Sequence, residues 1–330
     1  MNPLDQPATP ERLRRLASQG LLSPATLERA LAAAGHLPMP PAWARFFSRA
    51  LLVLGAAFTL AGTFFFFAYN WDDLHRFVKL GLLAGAVAAT GGFALWRGLE
   101  RSSGQVALFA ACALIGALLA VFGQVYQTGA DSFALFLSWA AMIVVPTLLA
   151  RNGPLWMLLL ALLNLSLGLF LEQRVALAYD LRPTALFALN AAWAIGWELG
   201  RGRAGLWMRS PWYRRAGLAV AAFWGTATAL ELITQRWVIR DGELYLLVGA
   251  LAALGLGGAA AVYYRWRSPD LPALSLLALC AIFLVTAQVS EWLGWSDAGN
   301  FLVLSALVVA QLLGAAALLL RAARRMEVAR

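Results

Sequence analysis

Residues 49–75, RALLVLGAAFTLAGTFFFFAYNWDDLH, hold a long apolar run that ends abruptly in polar and acidic side chains. A helix of about 20 apolar residues crosses a hydrocarbon core roughly 30 Å thick. Trp71 follows the run, at the depth where indole rings prefer the membrane interface, and Asp72 favours a turn beyond it. The stretch therefore predicts a transmembrane helix and its exit from the membrane.

The same pattern recurs along the 330-residue chain. The sequence is 61% hydrophobic and 13% charged, whereas soluble domains carry about 25% charged residues, and this difference excludes a soluble globular protein. We predict an all-α fold, a polytopic integral membrane helical bundle with about ten transmembrane helices. The predicted spans are 49–69, 77–96, 105–124, 132–150, 154–172, 183–200, 214–234, 244–264, 271–290 and 300–320.

The distribution of basic residues agrees with this arrangement through the positive-inside rule. When the N-terminal segment, every second loop and the C-terminus face the cytoplasm, only six of the 26 basic residues lie on the other side. These six are Arg76, Lys79, Arg174, Arg182, Arg236 and Arg240. Lysine is nearly absent while Arg, Ala and Leu abound, as in proteins of GC-rich bacteria. We therefore expect a multi-pass protein of the bacterial inner (cytoplasmic) membrane, with both termini in the cytoplasm.

The chain divides into three predicted segments: a cytoplasmic helical hairpin and linker at 1–45, the transmembrane helical bundle at 46–322, and a basic cytoplasmic tail at 323–330. In the hairpin, Thr9 and Ser23 each precede a proline, as expected for the N-caps of two short helices. So few residues bury little core of their own. We expect residues 1–40 to bind a cytoplasmic protein partner, the alternative being a solvated basic face.

Two predicted outer loops resemble each other. Span 3 leaves the membrane through FGQVYQTGADSFALFLSW (122–139), and span 9 leaves it through TAQVSEWLGWSDAGNFLVL (286–304). Each places a Gln-Val pair at the end of a helix, then a short polar loop with an Asp, then a new apolar run. The number of residues between the two Gln-Val pairs is similar to the number between the tryptophans that follow spans 1 and 7. These offsets favour a parallel internal repeat of spans 1–4 and 7–10, and transporter binding sites often lie between repeats.

Polar and acidic residues at the predicted outer helix ends form the candidate binding site. They are Asp72, Gln124, Tyr126, Asp131, Glu231 and Gln288. If the bundle closes around them, the carboxylates would concentrate cations or accept protons in an extracytoplasmic vestibule. The alternative is that these helix ends simply meet water. At the other membrane face, Glu198 is expected to be neutralised by Arg201 and Arg203.

Two asparagines lie near the middle of predicted neighbouring spans. Asn164 in span 5 and Asn190 in span 6 belong to antiparallel helices, so their amides can hydrogen-bond each other. Such amide pairs commonly hold helices together, and polar residues at membrane depth also mark transport paths. Both interpretations stay open at this point. The glycines of GALAALGLGG (249–258) follow no strand, and we interpret them as sites of close helix packing.

The sequence offers little for metal, cofactor or enzyme chemistry. His75 with Asp72 and Asp73 would give three ligands, but zinc sites usually draw on more His or Cys. There is no phosphate-binding loop, no HExxH and no GxSxG, and the two cysteines lie inside apolar runs. We therefore expect no metal, no cofactor and no nucleic-acid partner, and we lean against an enzyme.

Three segments carry a resemblance to a known family. They are LRRLASQGLLSPATLERAL (13–31), AYNWDDLHRFVKL (68–80) and FGQVYQTGADSFALFLSW (122–139). Over roughly residues 10–150 the chain resembles a bacterial family of predicted membrane proteins, domain of unknown function 2157. The resemblance implies a short cytoplasmic helical segment followed by several spans, and it implies no activity, substrate or catalytic residue. The matching segments include Asn70, Trp71, Asp72, Gln124, Tyr126 and Asp131.

We therefore predict a transporter or channel-like protein that moves a small solute, ion or lipid, with an acidic extracytoplasmic vestibule. The alternative is a non-transporting membrane scaffold or sensor that presents its N-terminal hairpin to a cytoplasmic partner. A third, less favoured class is an intramembrane lipid-modifying enzyme, which would need a convergent acid–base pair that the sequence does not show. Membrane lipids are expected partners, while the substrate and the oligomeric state are not indicated.

Overall fold

A computed structural model of the chain describes residues 8–34, 40–69, 75–127, 129, 131–175, 178–201, 208, 210–234, 244–293 and 298–328. These residues form helices and no strand. In chain order the helices are α1 Pro10–Ser18, α2 Pro24–Ala33, α3 Pro40–Tyr69, α4 Arg76–Arg97, α5 Ser102–Val125, α6 Ser132–Ala150, α7 Gly153–Arg174, α8 Ala178–Gly200, α9 Pro211–Thr234, α10 Leu244–Trp266, α11 Leu271–Leu293 and α12 Ala298–Val328.

Each of the ten helices α3 to α12 overlaps one of the ten predicted spans, although α3 begins nine residues before its span and α12 ends eight residues after its span. Within the described ranges, nine of them are long and apolar enough to cross a membrane, and α8 is not among the nine. Helix α8 has 23 residues, which is sufficient length, but it carries Arg182, Asn190 and Glu198. The prediction of an all-α polytopic membrane bundle is confirmed. The parallel internal repeat stays a prediction.

The chain divides into two compact units, residues 1–75 with 88–110 and residues 76–87 with 111–330. The first unit contains the hairpin of α1 and α2, whose caps form as predicted. The hydroxyl of Thr9 accepts a hydrogen bond from the Arg12 amide at 3.4 Å, and that of Ser23 accepts one from the Thr26 amide at 3.2 Å. Leu13 on α1 and Leu31 on α2 are buried.

The second unit is organised around α8 and α9. Helix α8 packs against α7, α9 and α10, while α9 also packs against α11, and α12 packs against α11. Small residues permit these close approaches. A Cβ on Gly249 of α10 would lie 2.5 Å from the Thr184 methyl group on α8, so only glycine fits there. The close packing of helices α8, α9, α10 and α11 positions the charged groups at the ends of these helices.

Candidate functional site

The two intramembrane asparagines hydrogen-bond each other across α7 and α8. Asn164 Nδ2 donates to Asn190 Oδ1 at 3.1 Å, and Asn190 Nδ2 donates to Asn164 Oδ1 at 2.6 Å. Each amide also donates to a carbonyl one turn earlier in its own helix, Leu160 at 2.9 Å and Leu186 at 2.8 Å. Asn190 is fully buried. Each amide therefore donates one hydrogen bond to the other helix and one within its own helix, as expected of a packing contact.

The residues of the predicted outer vestibule occupy several places. Asp131 precedes α6 as its N-cap residue, and its carboxylate forms an ion pair with Arg174 at the end of α7. Gln124 and Tyr126 are exposed at the end of α5. Glu231 is half-buried in α9 and Gln288 is half-buried in α11. Asp72 lies outside the described residues.

The second unit contains a smaller and a larger cavity, and the five vestibule residues within the described ranges line neither of them. The smaller cavity, of about 590 Å³, is formed by α9, α11 and α12 and includes Glu291 and Ser290. A second ion pair near the predicted outer face joins Glu172 to Arg182 at 3.4 Å. A single acidic vestibule formed by the six residues stays a prediction.

Sequence reasoning missed an ionic network at the opposite ends of the helices, where α8 and α10 end and α9 and α11 begin. We call this set of helix ends the basic end. Its first carboxylate, Glu198 of α8, accepts hydrogen bonds from Tyr264 at 2.7 Å, Tyr263 at 3.2 Å and Arg201 at 3.1 Å. The Nε atom of Arg214 on α9 lies 3.7 Å from Glu198 Oε1. The predicted neutralisation of Glu198 by Arg201 is thus present, while Arg203 lies outside the described residues.

Asp270, which directly precedes α11, is the second carboxylate of this network. Its side chain has 0% exposure and forms ion pairs with Arg214 and Arg215 of α9. Arg215 Nε lies 3.1 Å and 3.2 Å from the two carboxylate oxygens. The same carboxylate accepts a hydrogen bond from the Ala273 amide at 3.1 Å and so caps α11. One buried carboxylate therefore joins the start of α9 to the start of α11.

The surroundings of Asp270 also determine its ionisation. Burial acts to raise the pKa of this carboxyl group. The Ala273 amide and the guanidinium groups of Arg215 and Arg214 act in the opposite direction, and together they hold the pKa below its usual value. Asp270 is therefore an anion at neutral pH, and Ser268 completes the arrangement by accepting hydrogen bonds from Arg201 and Arg214, each at 3.2 Å.

A large apolar cavity begins beside the network and extends between α8, α9, α10, α11 and α12. Its volume is about 1160 Å³. Most of its lining is Ala, Leu, Ile, Val and Gly. The polar lining residues are few, and those at the basic end are Glu198, Tyr263, Tyr264 and Arg265. The cavity is therefore apolar along most of its length and polar at one end, the arrangement that suits an amphiphilic molecule.

The glycines of α10 divide into two groups, and this corrects the interpretation of residues 249–258 as close helix packing. Gly249 packs closely, as described above. Gly255, Gly257 and Gly258 would find nothing within 4 Å of an added Cβ, and Gly257 and Gly258 line the cavity instead. These glycines leave space because they lack a side chain. Composition cannot separate the two roles, because both require only a small residue.

The N-terminal part of the chain matches a known protein family. The matching description is predicted membrane protein (DUF2157). Residues 14–156 match that family. The match confirms the resemblance seen in the sequence, and with the nine apolar helices of the described residues it makes the chain a membrane protein with several spans. No curated protein and no solved structure matches the chain significantly. The DUF2157 match ends in α7 and does not include the ionic network or the large cavity.

A signal for the network is nevertheless present in the sequence. Glu198 and Asp270 are acidic residues placed among arginines at helix ends where the positive-inside rule concentrates basic side chains. Only Glu198 was predicted to pair with such an arginine, whereas the arginines that pair with Asp270 were interpreted only as topology signals. Among the described residues, no group of three His, Cys, Asp or Glu side chains is placed to hold a metal ion, and the segment with Asp72 and Asp73 lies outside them.

Proposed function

We propose that this membrane protein is a transporter whose cargo is an amphiphilic molecule, a lipid rather than a hydrated ion or a small polar solute. The observation that carries the proposal is the cavity of about 1160 Å³ between α8 and α12. It exceeds the roughly 300–1,000 Å³ of ordinary small-molecule sites. The protein would seat the cargo there and let it pass between the two leaflets of the membrane.

The lining of the cavity decides between lipid and ion. Conduction of a hydrated ion needs rings of carbonyl or charged groups that replace its water. Along most of this cavity the walls are aliphatic, contributed by residues such as Leu254, Leu277 and Leu318. Acyl chains gain about 0.8 kcal/mol for each methylene transferred out of water, and such walls offer them an environment like the membrane itself.

Glu198 is poorly suited to bind a transported cation, although it lines the cavity. Both of its oxygens already accept hydrogen bonds from tyrosine hydroxyls, and two arginines lie within 4 Å of them. A carboxylate with this many donors has little remaining capacity to bind a cation. This saturation supports a structural role for Glu198 at the polar end of a lipid cavity.

The proposal includes an orientation and a location. The arginines of the basic end support a cytoplasmic location for that end through the positive-inside rule. Both termini would then be cytoplasmic, and the location we propose is the bacterial inner membrane. The polar end of the cavity would accordingly receive cargo from the cytoplasmic leaflet.

Lipid transfer in proteoliposomes tests this function. The purified full-length chain is reconstituted with a headgroup-labelled fluorescent lipid, and a membrane-impermeant quencher reports the fraction of label that reaches the outer leaflet. We expect faster transfer than in protein-free vesicles. Gly257→Leu with Gly314→Leu fills the cavity from α10 and α12, where both positions have open space, and should slow transfer.

A matched control is available on the same helix. Gly255 also has nothing within 4 Å of an added Cβ, but it does not line the cavity. Gly255→Leu should therefore leave the transfer rate unchanged. Transfer no faster than in empty vesicles, or equal loss in the cavity and control variants, would refute the proposed function.

A second candidate is transport of a small solute or ion through the predicted acidic outer vestibule. Glu231 favours it, because this carboxylate is half-buried within the apolar helix α9, and carboxylates in such positions often serve transport. Asp131→Asn and Glu231→Gln should then abolish solute flux in proteoliposomes without reducing the amount of folded protein. Unchanged flux in both variants would remove these residues from the mechanism.

The scaffold alternative depends on the α1–α2 hairpin. Its Leu13 and Leu31 are buried and its arginines Arg14 and Arg15 are exposed, so a cytoplasmic protein partner would meet a basic surface. Deletion of residues 1–40 separates the two functions. A scaffold would lose its cellular phenotype, whereas the intrinsic lipid transfer of a transporter should survive.

A further inference from the structure

Two arginines meet on one indole ring where the large cavity reaches the basic end. The guanidinium carbon of Arg265 lies 5.4 Å from the centre of the Trp266 ring, and that of Arg325 lies 5.6 Å from it. The arginines come from different helices, α10 and α12. Trp266 itself is 63% exposed. Cation–π contacts of this kind hold guanidinium groups at a fixed place without neutralising them.

These two guanidinium groups differ from the arginines of the ionic network in their charge balance. Arg201, Arg214 and Arg215 all form ion pairs with Glu198 or Asp270. In the described part of the chain, neither Arg265 nor Arg325 forms an ion pair with a carboxylate. The network also has three arginines for two carboxylates. The end of the cavity therefore carries an excess of positive charge that a bound anion would balance.

The two arginines are continuous with the apolar cavity. Arg265 lines it directly, and Ala322, one helical turn before Arg325, lines it from α12. A ligand that touches both guanidinium groups can therefore extend an apolar chain between α10 and α12. Guanidinium groups match phosphate oxygens in shape and charge, and a tryptophan beside them suits the depth of lipid headgroups.

We propose that Arg265, Trp266 and Arg325 bind the phosphate headgroup of an anionic glycerophospholipid whose acyl chains occupy the large cavity. The inference rests on the proposed function only in using the same cavity as the lipid's seat. The paired arginines of the network then hold α8, α9 and α11 together, while Arg265 and Arg325 select the headgroup. The preferred lipid is anionic, because a zwitterionic headgroup would add a positive charge to a site that already has an excess.

Lipid retention measured by native mass spectrometry tests the site. The delipidated full-length protein is given phosphatidylglycerol or phosphatidylcholine with identical acyl chains. We expect preferential retention of phosphatidylglycerol. Arg265→Gln with Arg325→Gln should weaken that retention roughly 30-fold, from the usual contribution of each arginine near an anionic lipid, and leave phosphatidylcholine retention unchanged.

The matched control removes the same charge from the same end of α12. Arg321 and Arg324 are exposed and do not line the cavity, so Arg321→Gln with Arg324→Gln should keep the preference. Equal loss in both pairs would show a general attraction of anionic lipid to a basic helix end and overturn the site. Absence of any preference in the unaltered protein would overturn it too, as would displacement of the lipid by inorganic phosphate alone.

The inference and the proposed function fail in different measurements. A protein that selects phosphatidylglycerol but transfers lipid no faster than empty vesicles would refute the transporter and leave the headgroup site standing. A protein that transfers both lipids equally, with no effect of Arg265→Gln and Arg325→Gln on retention, would refute the headgroup site and leave the transporter standing.

Discussion

The two ends of the second unit both carry arginine–carboxylate pairs, but they bury them to very different extents. At the basic end, the Arg214 and Asp270 side chains are 13% and 0% exposed. At the opposite end, those of Arg174 and Asp131 are 58% and 33% exposed. The same chemical groups are therefore paired in a buried network at one end and in a partly exposed pair at the other.

This difference matters more than the number of pairs. Exposed ion pairs contribute about 0–1 kcal/mol to stability, because solvent screens them and long side chains lose entropy. Removing one partner of a buried pair costs about 3–5 kcal/mol, since the remaining charge is left without compensation. The comparison indicates that the basic end holds the helices together, while Asp131 and Glu172 at the opposite end remain accessible to solutes.

The largest effect is expected at Asp270. Asp270→Ala leaves Arg214 and Arg215 without their shared carboxylate and also removes the cap of α11. We expect a loss of about 3–5 kcal/mol in the free energy of unfolding, measured by reversible denaturation in detergent. Glu172→Ala, which removes a carboxylate from an exposed pair, is the control. A similar loss in both variants would show that burial does not separate the two ends.

The pH dependence of the same ion pairs gives a second test of the comparison. The expected change in the free energy of unfolding is smaller than for Asp270→Ala, because protonation removes the charge of Asp270 but keeps the volume of its side chain. The pKa of Asp270 in the folded protein lies below the ordinary value of 3.8. A depressed pKa contributes stability that is complete above the unfolded pKa and is lost as pH falls through the folded one. The difference in unfolding free energy between the unaltered protein and Asp270→Asn should be constant from about pH 5 to pH 8.

Below the ordinary pKa of 3.8, that difference should decrease as Asp270 is protonated. Taking the difference between two proteins cancels the titration of the other carboxylates. Denaturation series at several pH values provide the measurement. A difference that begins to shrink near neutral pH would mean that Arg214 and Arg215 do not stabilise the charged form.

The helices were predictable because each span carries its own signal. An apolar run such as that of α5 specifies a membrane helix without reference to any neighbour, so all ten predicted ranges fall on helices, nine of which in the described residues are apolar enough to span. The Asn164–Asn190 pair was also predictable, since α7 and α8 are consecutive and antiparallel. The ionic network was not, because Glu198, Arg214 and Asp270 come together only when three helix ends converge, and sequence spacing does not give that convergence.

The asparagine pair tests the middle of the bundle, between the two ends. Asn164→Ala and Asn190→Ala each remove two hydrogen bonds between α7 and α8. A double-mutant cycle should give a coupling energy of about 0.6–1.7 kcal/mol, the range for polar contacts between membrane helices. Gln311→Ala is the comparator, because Gln311 makes a longer bond of 3.4 Å to Thr286. Coupling near zero would show that the amides contribute nothing to the packing of α7 on α8.

The smallest effect on stability is expected at Asp131. Its partner Arg174 is more than half exposed, so Asp131→Asn should lower the free energy of unfolding by no more than about 1 kcal/mol, and the loss should shrink further as salt screens the pair. Denaturation at low and high ionic strength provides the measurement. A loss comparable to that of Asp270→Ala would place Asp131 in a buried contact. A small, salt-sensitive loss would instead leave its carboxylate available, as the vestibule hypothesis requires.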